Sequence, residues 1–444
     1  MNPLNVILTP LRQGAPRTGR LAVDLLLRVQ APELPAEAVA PRAPLHLAVV
    51  LDRSGSMSGQ PLVEARRCAA AIAARLASGD RLALVAYDHR ATLVQPCRPV
   101  QDLLAFHSLV NAIEPGGYTD LYAGWATGVE ALRKAHRPGV VSRVLLLSDG
   151  QANQGITDPD MLASASRNAA DTGISTSTYG LGEGFEENLM TAMAQQGAGR
   201  SYYGETAEDL LDPFMEEFDL LSSLVARRLQ VGVEVPRGWT VRQLNHYPEL
   251  APGCWRLPDL AAKAEAWALF HLEGPLPEGY SGDTLLLGTF TLQWDDPKGQ
   301  GSGPRLVPAR LPVLSSEAFL ALPEDPLVAS RLLELRVGEL QEQAHRAALS
   351  DDWDEVRRLL DQMKALAAEN PWTLEIVAAL EELMRRGERD TTTKELRFGS
   401  SASRYRLTSL NEEAECQPTA SYTRRKRRQG KGGPLGSDTP GEPT

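Results

Sequence analysis

The 444-residue chain is acidic, with 57 Asp and Glu against 46 Lys and Arg and a formal net charge of -11. That balance argues against nucleic-acid binding by the chain as a whole. The 43% hydrophobic and 23% charged content is that of globular domains, about two to four at this length, able to bury cores without disulfide staples.

The N-terminus, MNPLNVILTPLRQG, lacks the basic region and long apolar run of a secretory signal. No apolar stretch approaches the ~20 residues that cross a bilayer. A cytoplasmic protein without membrane attachment is therefore expected. Cys68, Cys97, Cys254 and Cys416 are isolated in sequence and form no C-x-x-C pair, so neither a zinc site nor a disulfide framework is predicted.

In chain order, residues 4–9 and 20–30 read as strands, and Pro-rich sequence follows from Pro32 to Pro44. From Leu45 strands and helices alternate. LHLAVVLD (45–52) is a continuous apolar run, as in a strand buried on both faces. Further strands are read at 81–88, 91–97, 142–150, 174–182 and 200–204. Helices are read at 61–77, 102–113, 121–135, 158–171, 186–196 and 208–224. This alternation predicts a doubly wound, Rossmann-like α/β domain over residues 44–224. Strand patterning returns at 228–236, 240–245, 266–273, 284–294 and 305–313, separated by Pro, Gly and Asp as in an antiparallel sandwich. The two N-terminal strands have no evident partners inside the α/β unit. The simplest topology therefore inserts that unit into a β-sandwich made of residues 1–43 and 225–315. Helical patterning over 326–349, about 352–368 and 372–387 predicts a helical bundle at 316–390. Residues 391–444 are rich in Thr, Ser, Gly and Arg and read as a disordered tail.

The chemistry concentrates after the first buried strand, in Asp52-Arg53-Ser54-Gly55-Ser56. Strands of a parallel sheet end at a common edge, where a crevice opens. A carboxylate and two hydroxyls at alternate positions of such a turn converge as hard oxygen ligands, suited to Mg²⁺ or Mn²⁺ and poor for zinc. Two later segments reach the same edge. GGYTD (116–120) offers Thr119 before a helix, and LLLSDG (145–150) offers Asp149 at the end of another strand.

Together these motifs resemble the metal-ion-dependent adhesion site of von Willebrand factor A domains, which reads D-x-S-x-S, then Thr in a Gly-rich loop, then T/S-D-G. Asp52, Ser54, Ser56, Thr119 and Asp149 fill the motif positions in the family's order, and the resemblance spans residues 45–224. It implies a divalent cation, Mg²⁺ first and Mn²⁺ or Ca²⁺ as alternatives, with a partner protein's Asp or Glu supplying a missing ligand. It also implies that Asp120 steadies its loop without touching the metal. Ligand exchange in the family moves the last helix, here 208–224, whose apolar stripe is Leu210, Leu211, Phe214, Phe218 and Leu221. A rigid domain onto which the partner docks stays open as the alternative. Integrin β subunits resemble the inserted layout by fold-level analogy alone.

These readings predict a non-enzymatic scaffold or signalling adaptor that grips a protein partner through the metal. One alternative is a regulatory subunit for an AAA+ ATPase, as in chelatase-like pairings. Another is a metal-dependent phosphohydrolase, but haloacid dehalogenase-type phosphatases carry a second Asp where this chain has Ser54. The seven His residues form no H-E-x-x-H, and no G-x-x-x-x-G-K-[ST] loop occurs. In the tail, Thr391–Thr393, Ser and Thr within 401–409 and the basic run Arg424–Arg428 offer a segment for a Ser/Thr kinase or a phosphopeptide-binding partner. Cytoplasmic bacterial proteins of similar appearance often work with Ser/Thr kinases.

Overall fold

The computed structural model describes residues 4–17, 19–32, 42–149, 152–181, 186–204, 211–276, 282–296, 301, 303–367, 370–405 and 408–409. Strands β1 (Asn5–Pro10) and β2 (Arg20–Gln30) open the chain. The α/β unit follows as β3 (Leu45–Asp52), α1 (Gln60–Arg75), β4 (Arg81–Tyr87), β5 (Ala91–Arg98), α2 (Leu103–Asn111), α3 (Leu121–Ala135), β6 (Val141–Ser148), α4 (Pro159–Asp171), β7 (Ile174–Leu181), α5 (Glu187–Gln196), β8 (Ser201–Gly204) and α6 (Leu211–Ser222). Antiparallel structure resumes at β9 (Leu224–Glu234), β10 (Thr240–Gln243), β11 (Ala264–Pro275), β12 (Thr284–Asp295) and β13 (Arg305–Leu314). Four long helices follow, α7 (Pro326–Leu349), α8 (Trp353–Ala367), α9 (Pro371–Arg386) and α10 (Arg389–Tyr405), before the two-residue strand Thr408–Ser409, which pairs with β11.

The α/β sheet runs in the order β5-β4-β3-β6-β7-β8. All neighbours are parallel except the edge strand β5, which is antiparallel to β4. Every residue of β3 and of β6 is buried, because helices cover both faces of the sheet. One face packs Leu47, Val49 and Leu84 against Leu62, Ile72 and Phe214. The other packs Val50, Val85 and Leu146 against Trp125, Leu132 and Leu162. The strand order reverses beside β3, which places the crevice at the carboxyl ends of β3 and β6.

Strand β1 pairs with β2 and β2 with β11, rather than with the α/β sheet, giving the order β1-β2-β11-β10. A second antiparallel sheet holds β9, β12 and β13, joined by the short strand Cys254–Arg256. The two sheets share a core that includes Leu25, Leu27, Val231, Trp255, Phe270 and Phe290. Phe270 and Phe290 meet edge to face across it, with ring centroids 5.2 Å apart. The run Leu25-Leu26-Leu27 is buried throughout because both faces of β2 are covered. Leu26 joins Trp267 and Leu269 against Val328 and Leu335 of α7. Arg331 of the same helix lies over the Trp267 ring, 4.9 Å from its centroid.

The structure corrects several sequence expectations. The segment from residue 391 is not a disordered tail as far as residue 405, since Arg389–Tyr405 forms α10 against α7. Besides Lys394 and Glu395, its buried face is small and polar around Leu396: Thr392, Ser400 and Ser403 lie at helical spacing. Such residues let two helices approach closely, as Gly338 does beside Ser403, but they give no apolar stripe to read. Thr392 and Ser403 are thereby withdrawn from the accessible segment proposed for a kinase. Cys416, Arg424–Arg428 and the Gly- and Pro-rich end lie outside the described residues. The last α/β helix is described from Leu211, so Leu210 also lies outside, and the next strand begins at Leu224 rather than 228.

Candidate metal centre

Asp52 is the last residue of β3 and is fully buried. Its Oδ1 accepts the Ser54 backbone N–H at 2.8 Å, which bends the chain into the turn Gly55–Met57. Met57 is buried and pins that turn to the core, while Ser56 is exposed at its tip. Ser54 Oγ and Ser56 Oγ share a hydrogen bond at 3.1 Å. The D-x-S-x-S spacing thus brings both hydroxyls to the edge where Asp52 ends its strand.

The Thr119 loop is tied to this turn by backbone bonds. Gly116 N–H donates to Arg53 O at 2.6 Å, and Gly55 N–H donates to Gly117 O at 2.9 Å. Gly116 crosses directly over the buried Asp88, so that a Cβ there would fall 1.9 Å from Asp88 Oδ2. The Asp88 carboxylate is held by Arg53 at 2.9 Å and by His89 at 3.1 Å. Its carbonyl accepts the Asp120 N–H at 2.8 Å. Thr119 is buried at 2% exposure. Asp120 caps α3, accepting the Ala123 N–H at 2.9 Å, so its carboxylate is engaged in steadying the loop.

Asp149 follows β6 directly. Its Oδ1 is buried and has no hydrogen-bond partner among the described residues. The preceding Ser148 donates to Asp52 Oδ2 at 2.6 Å, and the Tyr87 hydroxyl reaches the same oxygen at 3.3 Å. Burial pushes the Asp52 carboxyl up to about 6 despite the Ser148 and Ser54 hydrogen bonds, and the nearby Asp149 charge adds to the rise. Tyr87 is pushed well above the ordinary phenol range by burial and then by the Asp52 charge.

An orphaned carboxylate oxygen, a second carboxylate resisting ionisation beside it, and a cluster of hydroxyls form a set of hard oxygen donors that fits a small divalent cation. Asp52, Ser54, Ser56, Thr119 and Asp149 therefore lie on three mutually bonded segments at one sheet edge. Sequence reasoning did not single out Ser148, Tyr87, Asp88 or Asn153. The signal for two of them was available: Tyr87 and Ser148 end the strands that flank β3, so they border Asp52 by position alone.

The family model for the von Willebrand factor type A domain matches residues 46–216. An uncharacterized protein, sll0103, from Synechocystis is 31% identical over 183 residues, covering 41% of this chain and 43% of that protein. Human inter-alpha-trypsin inhibitor heavy chain H3 is 28% identical over 208 residues, 44% of this chain and 22% of that one. The chain thus spans less than half the length of these relatives. Among solved structures, a von Willebrand factor type A protein from Catenulispora acidiphila aligns over 89% of both chains with a TM-score of 0.64 and 18% identity. The ArnB paralog VWA2 from Sulfolobus acidocaldarius aligns over 90% of this chain and 98% of its own, with a TM-score of 0.58 and 16% identity. The chain contains a von Willebrand factor type A domain, and the likeness in fold to these two structures extends well beyond it.

Proposed function

We propose that this chain is a divalent-metal-dependent protein-interaction module, in which Asp52, Ser54, Ser56, Thr119 and Asp149 hold Mg²⁺ and a partner's Asp or Glu completes the site. Von Willebrand factor type A domains mediate protein interactions and often bind a divalent metal, which supplies a coordination position for an incoming carboxylate. The observation that carries the reading is Asp149 Oδ1, buried without a partner among the described residues, just past the end of the strand that neighbours β3. A buried carboxylate oxygen is costly unless a cation or donor meets it. A scaffold or adaptor role fits this better than catalysis, because the hydroxyls bonded to the Asp52 carboxylate, those of Ser148 and Tyr87, belong to fully buried residues out of a substrate's reach.

Isothermal titration of the full chain is expected to show one Mg²⁺ site. Asp52→Ala should abolish it and Asp149→Ala should weaken it. A pull-down from native lysate should retain a partner in Mg²⁺ and lose it in EDTA. Unchanged Mg²⁺ binding by Asp52→Ala would sink the site, and a partner held equally in EDTA would sink the metal-dependent grip. Copurification of an ATPase would move the reading to the chelatase-like alternative. Phosphoester turnover lost in Asp52→Asn would move it to a hydrolase.

A further inference from the structure

We infer that Asn153 is the positioning residue of the metal centre: it clamps Thr119 to the Asp149 segment and so sets the width of the site and its preference among ions. The inference rests on the metal reading above. Asn153 takes hold of Thr119 from both ends. Its side-chain Oδ1 accepts the Thr119 N–H at 2.8 Å, and its backbone N–H donates to Thr119 O at 3.2 Å. Gln154 N–H donates to the same carbonyl at 3.2 Å. The peptide groups on both sides of Thr119 are thereby fixed to residues that follow Asp149 by a few positions.

Two further contacts hold this segment against the loop. Gly155 has φ +72°, and a Cβ there would stand 2.5 Å from Asp120 Oδ1. Only glycine lets the turn close against the carboxylate that caps α3. On the opposite side, Gly55 N–H and Gly116 N–H link the Thr119 loop to the Asp52 turn. The ligand-bearing segments are therefore fastened in series, and the side-chain bond from Asn153 is the link that can be cut without touching a ligand. Asn153 is itself exposed, so its replacement leaves no cavity, and the group that loses its acceptor is the Thr119 N–H under test.

A clamp on ligand separation acts on selectivity. Mg²⁺ demands short, near-octahedral contacts, whereas Ca²⁺ accepts longer and more flexible ones. Loosening Thr119 should therefore cost Mg²⁺ more than Ca²⁺. Groups that orient metal ligands typically matter by about 10–100-fold in affinity.

The test uses the full chain as parent, Asn153→Leu and Asn153→Asp. Leucine keeps the shape and removes the acceptor; aspartate keeps an oxygen for the Thr119 N–H. Two readouts are taken: hydrogen exchange of the segment 115–120, and separate titrations with Mg²⁺ and Ca²⁺. In Asn153→Leu, exchange over 115–120 is expected to rise about tenfold. Mg²⁺ affinity should fall about tenfold and Ca²⁺ affinity less, so that the Ca²⁺ to Mg²⁺ affinity ratio rises at least threefold. Asn153→Asp should restore both the protection and the ratio. Unchanged exchange in Asn153→Leu overturns the clamp, whatever the ions do. Faster exchange with an unchanged ratio overturns the positioning role, because the bond would then hold the loop without shaping the site. A parent chain that binds neither ion defeats the metal reading before any variant is examined, and the positioning role with it, while exchange still decides the clamp.

Discussion

In EDTA at pH 7.5, Asp52→Asn is expected to melt at a higher temperature than the parent chain and to lose the stabilisation that Mg²⁺ confers on the parent. The argument follows from burial. The Asp52 carboxyl is fully buried, and that burial raises it from the ordinary 3.8 to about 6, with Asp149 adding to the rise. At pH 7.5 it is ionised in both folded and unfolded chains, so the folded state carries the cost of a buried charge. For a group whose folded value is raised, this cost is present in full above the folded value and vanishes below the unfolded one. The penalty therefore grows between about pH 4 and pH 6 and amounts to something on the order of 2–3 kcal/mol above it.

Asparagine removes that charge and keeps the shape. Its Oδ1 still accepts the Ser54 N–H, and its amide can donate to the hydroxyls of Ser148 and Tyr87, which turn to accept. Mg²⁺ reverses the order, since a ligand at about 1,000 times its dissociation constant stabilises the folded parent by about 4.1 kcal/mol, more than the charge-burial penalty. The two melting curves should therefore exchange places between EDTA and saturating Mg²⁺, and the difference in EDTA should shrink below pH 5. An Asp52→Asn variant less stable than the parent in EDTA would remove the charge-burial argument. A Mg²⁺-induced shift that persists in the variant would remove Asp52 from the site.

What the sequence disclosed depends on how each segment is buried. The run LHLAVVLD is apolar throughout because helices cover both faces of β3, so composition alone marks it as a central strand. The motif residues were legible because hard-ion chemistry leaves short spacings at strand ends. The groups that orient them were not, because Ser148, Asp88 and Asn153 act through contacts that join separate segments. Helix α10 escaped for a different reason. Its buried residues include Thr392, Ser400 and Ser403 around Leu396, with the charged Lys394 and Glu395, and helix packing through polar residues carries no hydrophobic period. The edge strand β5 was expected as one more member of a parallel sheet. It turns back from β4 through residues 88–90 and pairs antiparallel with it, a connection too short for a parallel crossover.

Helix α6 is expected to stay in place when a partner binds, and a substitution that unpins it should be severely destabilising. Its Glu217 is fully buried and ion-paired with Arg143 of β6, itself 2% exposed. Ser177 Oγ donates to Glu217 at 2.7 Å and the Tyr202 hydroxyl at 2.8 Å. Burial would raise the Glu217 carboxyl, but the Arg143 and Arg200 guanidinium groups outweigh it and hold the group below its ordinary value. Arg143 also reaches Asp259, beyond the α/β unit, at 3.4 Å. Phe214 stacks on Tyr179 with centroids 3.8 Å apart, and only Ser223 separates the helix from β9. Sliding α6 by one turn, about 5.4 Å, would withdraw Glu217 from all of these partners. Stranding one member of a buried pair costs about 3–5 kcal/mol, against the ~1–3 kcal/mol typical of coupling between sites. Because the cost of stranding exceeds what coupling supplies, a partner bound at the metal is expected to dock without driving the helix. Glu217→Leu should accordingly lower stability by about 3–5 kcal/mol in chemical denaturation of the α/β unit, and adding Arg143→Leu should recover part of the loss by removing the stranded charge. Leu211→Trp, at a partly buried position of the same helix, should leave partner affinity within about twofold of the parent, a difference of only ~0.4 kcal/mol. A tenfold change in affinity with normal Mg²⁺ binding, or a Glu217→Leu chain that loses less than about 1 kcal/mol, would show that this buried pair does not hold the helix.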